Sequence, residues 1–288
     1  MLDRAFWQDM VDAGWLAVLI PEEQGGLGQG LGEMSAIAQE LGAALPGEPL
    51  VAVAVQTVTL LCSLPESELR DHLLGGIADG SLIAGTAWQQ SSRQTEVQPG
   101  PSVSIENGQR VISGRYTGVS PANGADGWLV LAREQDEDLL LWVESGTAGL
   151  QMTDWARVDA GSMGILQLQS CPVDNSRVIA RGEQVLPALA RANDYARIVL
   201  AAQLLGCAKR AFDTTLEYLK VRVQFGKPIG TFQSLQHRMV DSYIQLQILE
   251  FALWEVVTAP GQQPTMLAMQ ASGLVGFLIA RDSASAGL

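Results

Sequence analysis

Apolar residues recur at helical spacing through the first eighty positions of the chain. Leu2, Phe6 and Met10 form one stripe, with Asp9 beside it, as expected for an amphipathic helix with one buried face. Similar stripes begin near residue 32, after residue 49 and near residue 66. The pattern therefore predicts an N-terminal α-helical domain over residues 1–80.

The pattern changes near Ser81, where short apolar runs alternate with turn residues. Asn107-Gly108 separates two of these runs, and this dipeptide favours a two-residue hairpin because both turn positions need a positive φ. The predicted strands lie near 82–87, 102–106, 110–113, 128–132, 139–143 and 165–168. They predict a middle β domain, a barrel or a sandwich, over residues 81–181.

Helical spacing returns after Gly182 and continues to about residue 223. Gly226 and Pro228 interrupt it, and Thr231 is a predicted N-cap for a second long helix that ends near Thr258. A last helix is predicted from Pro264, so residues 182–288 are expected to form a helical bundle that is cut short at its end. Helices, strands and helices in separate blocks predict an α+β multidomain fold and disfavour a doubly wound sheet.

Composition narrows the functional class. The net charge of −13 disfavours nucleic-acid binding, which needs clustered Lys and Arg. The three cysteines are far apart, which predicts neither disulfides nor a metal site and fits the reducing cytoplasm. The longest apolar run, 50–62, is interrupted by polar residues and is too short to predict a membrane span.

The segment 222–233 combines groups that suit a phosphate-bearing ligand. Arg222 offers a bidentate fork at the end of a predicted helix, and Phe225 offers a flat aromatic face. Gln233 offers an amide near the positive end of the next helix dipole. These features predict a pyrophosphate contact, while a solvated helix end is the alternative.

The same segment resembles the signature R-x-x-F-G-x-P-I-x-x-F-Q of the acyl-CoA dehydrogenase family. Three other stretches also resemble family motifs, and together they cover nearly the whole chain. They are the glycine-rich stretch 14–28, the strand 124–133 and the helix start 194–206.

The resemblance implies N-terminal helices, a middle β domain and a C-terminal helical bundle, with FAD at a subunit interface. It implies that Arg222, Phe225 and Gln233 contact the FAD of a neighbouring subunit in a homo- or hetero-oligomer, a dimer or tetramer. It implies flavin contacts for Thr86, Ser92 and Ser120. Arg197 would lie near the thioester of an acyl-CoA substrate, although an ion pair with an aspartate is the alternative.

Three features depart from the family pattern. Residues 86–93 retain Thr86 and Ser92 but lack the Glu, Gly and Asp of T-E-P-x-x-G-S-D. Gly118 stands where the family carries an aromatic residue that covers the flavin. Ala196 occupies the position that carries the catalytic carboxylate in a minority of members, so the catalytic residue of this chain is unknown.

These departures leave three functions open. The first is α,β-dehydrogenation of an acyl-CoA, from a fatty acid or a sterol side chain, with FAD as hydride acceptor and a separate electron-transfer acceptor. The second is a non-catalytic partner subunit that completes the FAD site of a hetero-oligomeric dehydrogenase. The missing catalytic base would also be explained if the sequence were a truncated copy of a longer chain. The third is another flavin oxidation on the same fold, such as monooxygenation or nitroalkane oxidation.

Overall fold

The computed structural model describes residues 2–258. Its described α-helices occupy the two ends of this range and its strands the middle, apart from a short hairpin between the last two helices. The helices are α1 (Arg4–Asp12), α2 (Leu31–Ala44), α3 (Val58–Cys62), α4 (Glu68–Ala78), α5 (Val185–Val221) and α6 (Gln233–Thr258). The predicted α+β class is confirmed, and the predicted helix from Pro264 lies outside the described residues.

Each of two N-terminal helices has a local reason for its position. Asp3 caps α1 by accepting hydrogen bonds from the backbone of Ala5 and Phe6, and Ser67 caps α4 in the same way through Arg70. A π-helix, Val51–Thr57, precedes α3. Such helices are rare and occur often at functional sites.

The strands form two four-stranded sheets. Their bounds are β1 (Ala84–Ala87), β2 (Val103–Glu106), β3 (Gln109–Val119), β4 (Gly127–Glu134), β5 (Glu137–Glu144), β6 (Leu150–Ala156), β7 (Ser162–Pro172) and β8 (Val178–Arg181). One sheet has the order β1-β4-β5-β8 and the other β2-β3-β7-β6. The predicted hairpin at Asn107-Gly108 is confirmed, because both residues have a positive φ between paired Glu106 and Gln109.

Buried side chains from both sheets meet in one apolar core. Trp128, Val130 and Leu141 come from the first sheet, and Tyr116 and Leu166 from the second. The strands described here therefore form a sandwich and no closed barrel, which selects one of the two predicted β architectures.

Contacts along the chain group the protein into two compact units. The first comprises Met1–Gly30 and Pro46–Ala196, and the second comprises Leu31–Leu45 and Arg197–Leu288. The predicted domain limits near residues 80 and 181 stay a prediction.

Within the second unit, α2 and α5 cross at a point where each helix contributes a glycine. A Cβ added to Gly42 would lie 1.9 Å from the carbonyl oxygen of Gln203, and one added to Gly206 would lie 1.8 Å from that of Gln39. Each glycine thus faces the backbone of the other helix, and the two helices approach more closely than any side chain at these positions would allow.

Candidate functional site

A tight hairpin connects α5 to α6 in the second unit. Its strands β9 (Val223–Gln224) and β10 (Lys227–Pro228) pair across the two turn residues Phe225 and Gly226. Both turn residues have a positive φ, 54° and 79°, which is the type I′ geometry that the strand twist favours. The sequence therefore places a phenylalanine at a backbone position that usually holds asparagine or glycine.

Hydrogen bonds fix the backbone on both sides of this hairpin. The amide of Arg222 donates to the Tyr218 oxygen at 2.9 Å, and the Arg222 oxygen accepts from the amide of Ile229 at 2.8 Å. The Thr231 hydroxyl donates to the Pro228 oxygen at 2.7 Å. The helix α6 begins at Gln233 with Phe232 before it, so the predicted N-cap at Thr231 is wrong by one position.

The hairpin presents its predicted ligand-binding side chains outward. Arg222 and Gln233 are exposed, and Phe225 is 90% exposed. The Phe225 ring meets the Phe232 ring edge to face at 6.1 Å, and Lys227 lies 4.5 Å from the centre of the Phe232 ring. The structure thus brings Arg222, Phe225 and Gln233 to one short segment, where a cation, a ring and an amide are available to a ligand from outside.

A second candidate locus lies in the first unit, at the end of β1. Thr86 pairs with Leu129 of β4 on one side and forms an isolated antiparallel bridge with Ser120 on the other. The structure therefore brings these two predicted residues together through their backbones. Ser92 lies apart from this bridge, exposed in a turn of the loop that follows β1.

The hydroxyl groups of Thr86 and Ser120 are engaged inside the protein. Thr86 is 4% exposed, and its hydroxyl lies 3.1 Å from that of Thr57 in the π-helix. The Ser120 hydroxyl donates to the Ser162 oxygen at 3.3 Å. These side chains face interior partners, whereas the side chains of the hairpin locus face solvent.

The loop after β1 also bonds to the end of β3. The Gln89 oxygen accepts from the amide of Thr117 at 2.7 Å, and the Gln89 side-chain amide donates to the Gln94 oxygen at 2.8 Å. A Cβ added to Gly118 would lie 2.7 Å from Oε1 of Gln89, and Gly118 has a φ of +67°. Sequence reasoning did not identify Gln89, because a polar loop carries no periodic signal.

A third polar cluster, also in the first unit, joins the π-helix to α5. The side-chain amide of Gln56 donates to Oδ1 of Asn193 at 2.7 Å, and Nδ2 of Asn193 is buried without a partner among the described residues. Asp194 beside it is 5% exposed. The signal in the sequence was the interruption of an apolar run at Gln56.

Arg197 and Ala196 follow this cluster on α5, and both are partly buried. Glu217, farther along the same helix, accepts from Lys220 at 2.7 Å and is 70% exposed. The two histidines, His72 and His237, are exposed on α4 and α6. No carboxylate stands at position 196, and no catalytic base is assigned.

Two family models match the chain. The acyl-CoA dehydrogenase N-terminal domain matches residues 1–81, and the acyl-CoA dehydrogenase C-terminal domain matches residues 187–275. Acyl-CoA dehydrogenase FadE27 of Mycobacterium tuberculosis is 30% identical over 251 residues, which is 87% of this chain. The chain spans just under two thirds of the length of such curated relatives, 65% in the case of FadE27.

Solved structures agree with the family models. The Tcur3481-Tcur3483 steroid ACAD has 31% sequence identity and a TM-score of 0.79, and the match covers 95% of this chain and 73% of that one. The ChsE4-ChsE5 complex from Mycobacterium tuberculosis has 28% identity and a TM-score of 0.79, with 95% and 75% covered. The chain belongs to the acyl-CoA dehydrogenase family.

Proposed function

We propose that this chain is a flavoprotein subunit that takes part in the α,β-dehydrogenation of an acyl-CoA thioester with FAD. The observation that carries the proposal is the hairpin locus, where Arg222, Phe225 and Gln233 are exposed on one short segment. Family membership supports the reaction class, since the matched relatives carry the name acyl-CoA dehydrogenase.

The residues at the hairpin fit the phosphate-bearing half of FAD. Arg222 would neutralise a phosphate charge through a charge-assisted hydrogen bond. The Phe225 ring, which is exposed on the turn, would lie against a planar part of the ligand, and the Gln233 amide lies in the first turn of α6, where the helix dipole favours an anion. When bound, FAD supplies the acceptor for a hydride from the substrate.

The proposed ligand reaches the hairpin from a neighbouring subunit. Because these side chains project outward, they are available to a group held mainly by another chain. We accordingly propose an oligomer, a dimer or tetramer of like or unlike chains, in the cytoplasm, that passes electrons from FAD to a separate acceptor. Arg197 remains a proposed contact of the substrate. Ser92 and the backbone bridge at Thr86 and Ser120 are proposed flavin contacts only under this first function, in which the chain holds a flavin ring of its own.

A second candidate function is that of a non-catalytic partner that completes another subunit's FAD site. Two observations favour it: Ala196 cannot accept a proton, and the Thr86 and Ser120 hydroxyls bond to interior partners. One of the similar solved structures is a complex of two proteins, ChsE4 and ChsE5. Under this function the acyl-CoA would be a steroid or fatty acyl thioester oxidised by the companion chain.

The experiment that tests the proposal measures flavin retention after replacement of Arg222. The chain is purified alone and after co-expression with a longer homologue from the same organism, and bound flavin per chain is read from its absorbance. Arg222→Ala is compared with Arg210→Ala, because Arg210 is an exposed arginine within α5, the helix that ends at Val221 just before Arg222. A lost charge-assisted hydrogen bond predicts about tenfold to hundredfold weaker flavin binding for Arg222→Ala alone.

Equal flavin content in Arg222→Ala and Arg210→Ala would contradict the assignment of the hairpin. Acyl-CoA oxidation by the chain purified alone would support the first function over the second. Oxidation only in the co-expressed complex would support the second.

A further inference from the structure

The loop of residues 88–94 follows β1 and lies against the end of β3. The resemblance to the family implies that the flavin-facing segments of the β domain are the stretch after Thr86 and the stretch around Gly118. The structure shows which groups of this chain already occupy the space between these two segments.

Backbone and side-chain hydrogen bonds hold the loop in place. Besides the bonds from Thr117 to Gln89 and from Gln89 to Gln94, the amide of Gln90 donates to Oε1 of Gln94 at 2.8 Å. The Gln90 side chain donates to the Pro99 oxygen at 2.9 Å. Glutamines at three positions therefore tie the loop to itself and to β3.

The side chain of Gln89 fills the position beside Gly118. Its Oε1 lies 2.7 Å from the place of a Cβ on residue 118, well inside van der Waals contact. The φ of +67° at Gly118 also disfavours any side chain with a Cβ there. An aromatic cover for a flavin at this position would need both a different backbone conformation and a displaced Gln89.

Most of the buried hydroxyl groups at this locus already have hydrogen-bond partners inside the protein. The Thr57 hydroxyl lies 2.9 Å from the Ala52 oxygen and 3.2 Å from the Ala84 oxygen, both of which can only accept. If its proton goes to one of them, the Thr86 hydroxyl donates its own proton to Thr57. The buried Thr117 hydroxyl is without a partner among the described residues, so among these three buried hydroxyl groups it alone could bond to the polar edge of an isoalloxazine ring.

From these contacts we infer that the loop 88–94, held by Gln89, occupies the flavin-ring site of this chain's own β unit. The chain then binds flavin only through its hairpin, to a ring held by a companion subunit. The inference rests on the proposed function for the hairpin, but it concerns a different locus and is tested separately.

Hydrogen exchange of backbone amides separates the two loci within one sample. The assembled protein is compared with and without flavin, and exchange is followed in peptides that contain residues 86–99 and 222–233. Flavin is expected to slow exchange in the hairpin peptide and to leave the loop peptide unchanged. Faster or slower exchange of the loop peptide on flavin loading would overturn the inference, because a ring at this site must displace Gln89.

The same samples report on the proposed function independently. If flavin leaves the hairpin peptide unchanged and alters the loop peptide, both ideas fail. If it alters neither peptide, the hairpin assignment fails, and with it the statement that this chain binds flavin through its hairpin.

A variant tests whether Gln89 holds the loop. Gln89→Ala removes the bond to Gln94 and the contact at Gly118, and we expect exchange in residues 88–94 to become roughly threefold to tenfold faster. Gln109→Ala is the control, since Gln109 is an exposed glutamine at the other end of β3. Exchange in Gln89→Ala that equals the control would contradict the role of Gln89.

Discussion

Replacing Gly206 by alanine tests the closest helix crossing in the second unit. The added Cβ would lie 1.8 Å from the Gln39 backbone oxygen, 2.8 Å from its carbonyl carbon and 3.2 Å from the Ala43 nitrogen. All three atoms belong to the backbone, so no side-chain rotation relieves the contact. The helices α2 and α5 must separate.

The magnitude follows from two opposing effects. Alanine in place of glycine within a helix stabilises it by about 0.5–1 kcal/mol. Overpacking a close-packed contact costs typically about 1–3 kcal/mol, and here the obstacle is rigid backbone. We therefore expect Gly206→Ala to lower the free energy of unfolding by about 1–2 kcal/mol or more, measured by urea denaturation followed by circular dichroism.

Gly75 provides the matched control because it lies inside α4 and a Cβ there meets nothing within 4 Å. Gly75→Ala is expected to stabilise the protein by about 0.5–1 kcal/mol, through helix propensity alone. If Gly206→Ala raised the unfolding midpoint as much as Gly75→Ala does, the close crossing of α2 and α5 would be refuted.

Two further predictions concern a turn and a charge cluster. Phe225→Asn suits the positive φ of this turn position, so the unfolding midpoint is expected to stay the same or rise, while flavin retention falls about tenfold. The control variant Phe225→Tyr keeps the aromatic ring and should retain flavin. Equal flavin retention in the two variants would refute a role for the ring. Burial acts to raise the pKa of Glu134, but hydrogen bonds from Arg181 and Arg110 outweigh it and hold that pKa below its ordinary value. Because the pKa of Glu134 is lower in the folded protein than in the unfolded chain, the carboxylate stabilises the fold above the unfolded pKa, and this stabilisation is lost as pH falls. Glu134→Gln should therefore lower the free energy of unfolding by about 1 kcal/mol at neutral pH and by less below about pH 4.5. A stability difference that does not change between pH 7 and pH 3 would contradict the role of the Glu134 carboxylate.

Periodicity predicted the fold where one face of an element is buried and the other is not. The apolar stripes of α5 and α6 were found this way, whereas the Asn107-Gly108 hairpin was predicted from the turn preference of that dipeptide. Periodicity missed β6, because that strand is largely exposed, and it also missed the short strand β8. It could not orient Thr86, since all four residues of β1 are buried and no alternation marks a face.

The candidate site was predicted only where its residues are close together in the sequence. The motif at 222–233 predicted the residues that the hairpin brings together, because they are close in sequence. The positive φ of Phe225 was not predicted, since glycine or asparagine is the usual residue there. The Gln89 contact with β3 depends on residues from two separate segments, and its polar side chains give no hydrophobic pattern.

The flavin content of the Arg222→Ala protein tests the central claim most directly. Bound flavin per chain is compared between Arg222→Ala and Arg210→Ala in the co-expressed assembly, under the same purification. The hairpin assignment predicts that Arg222→Ala loses most of its flavin while Arg210→Ala keeps it. Full flavin content in both proteins would contradict the claim that this hairpin holds a neighbouring subunit's FAD.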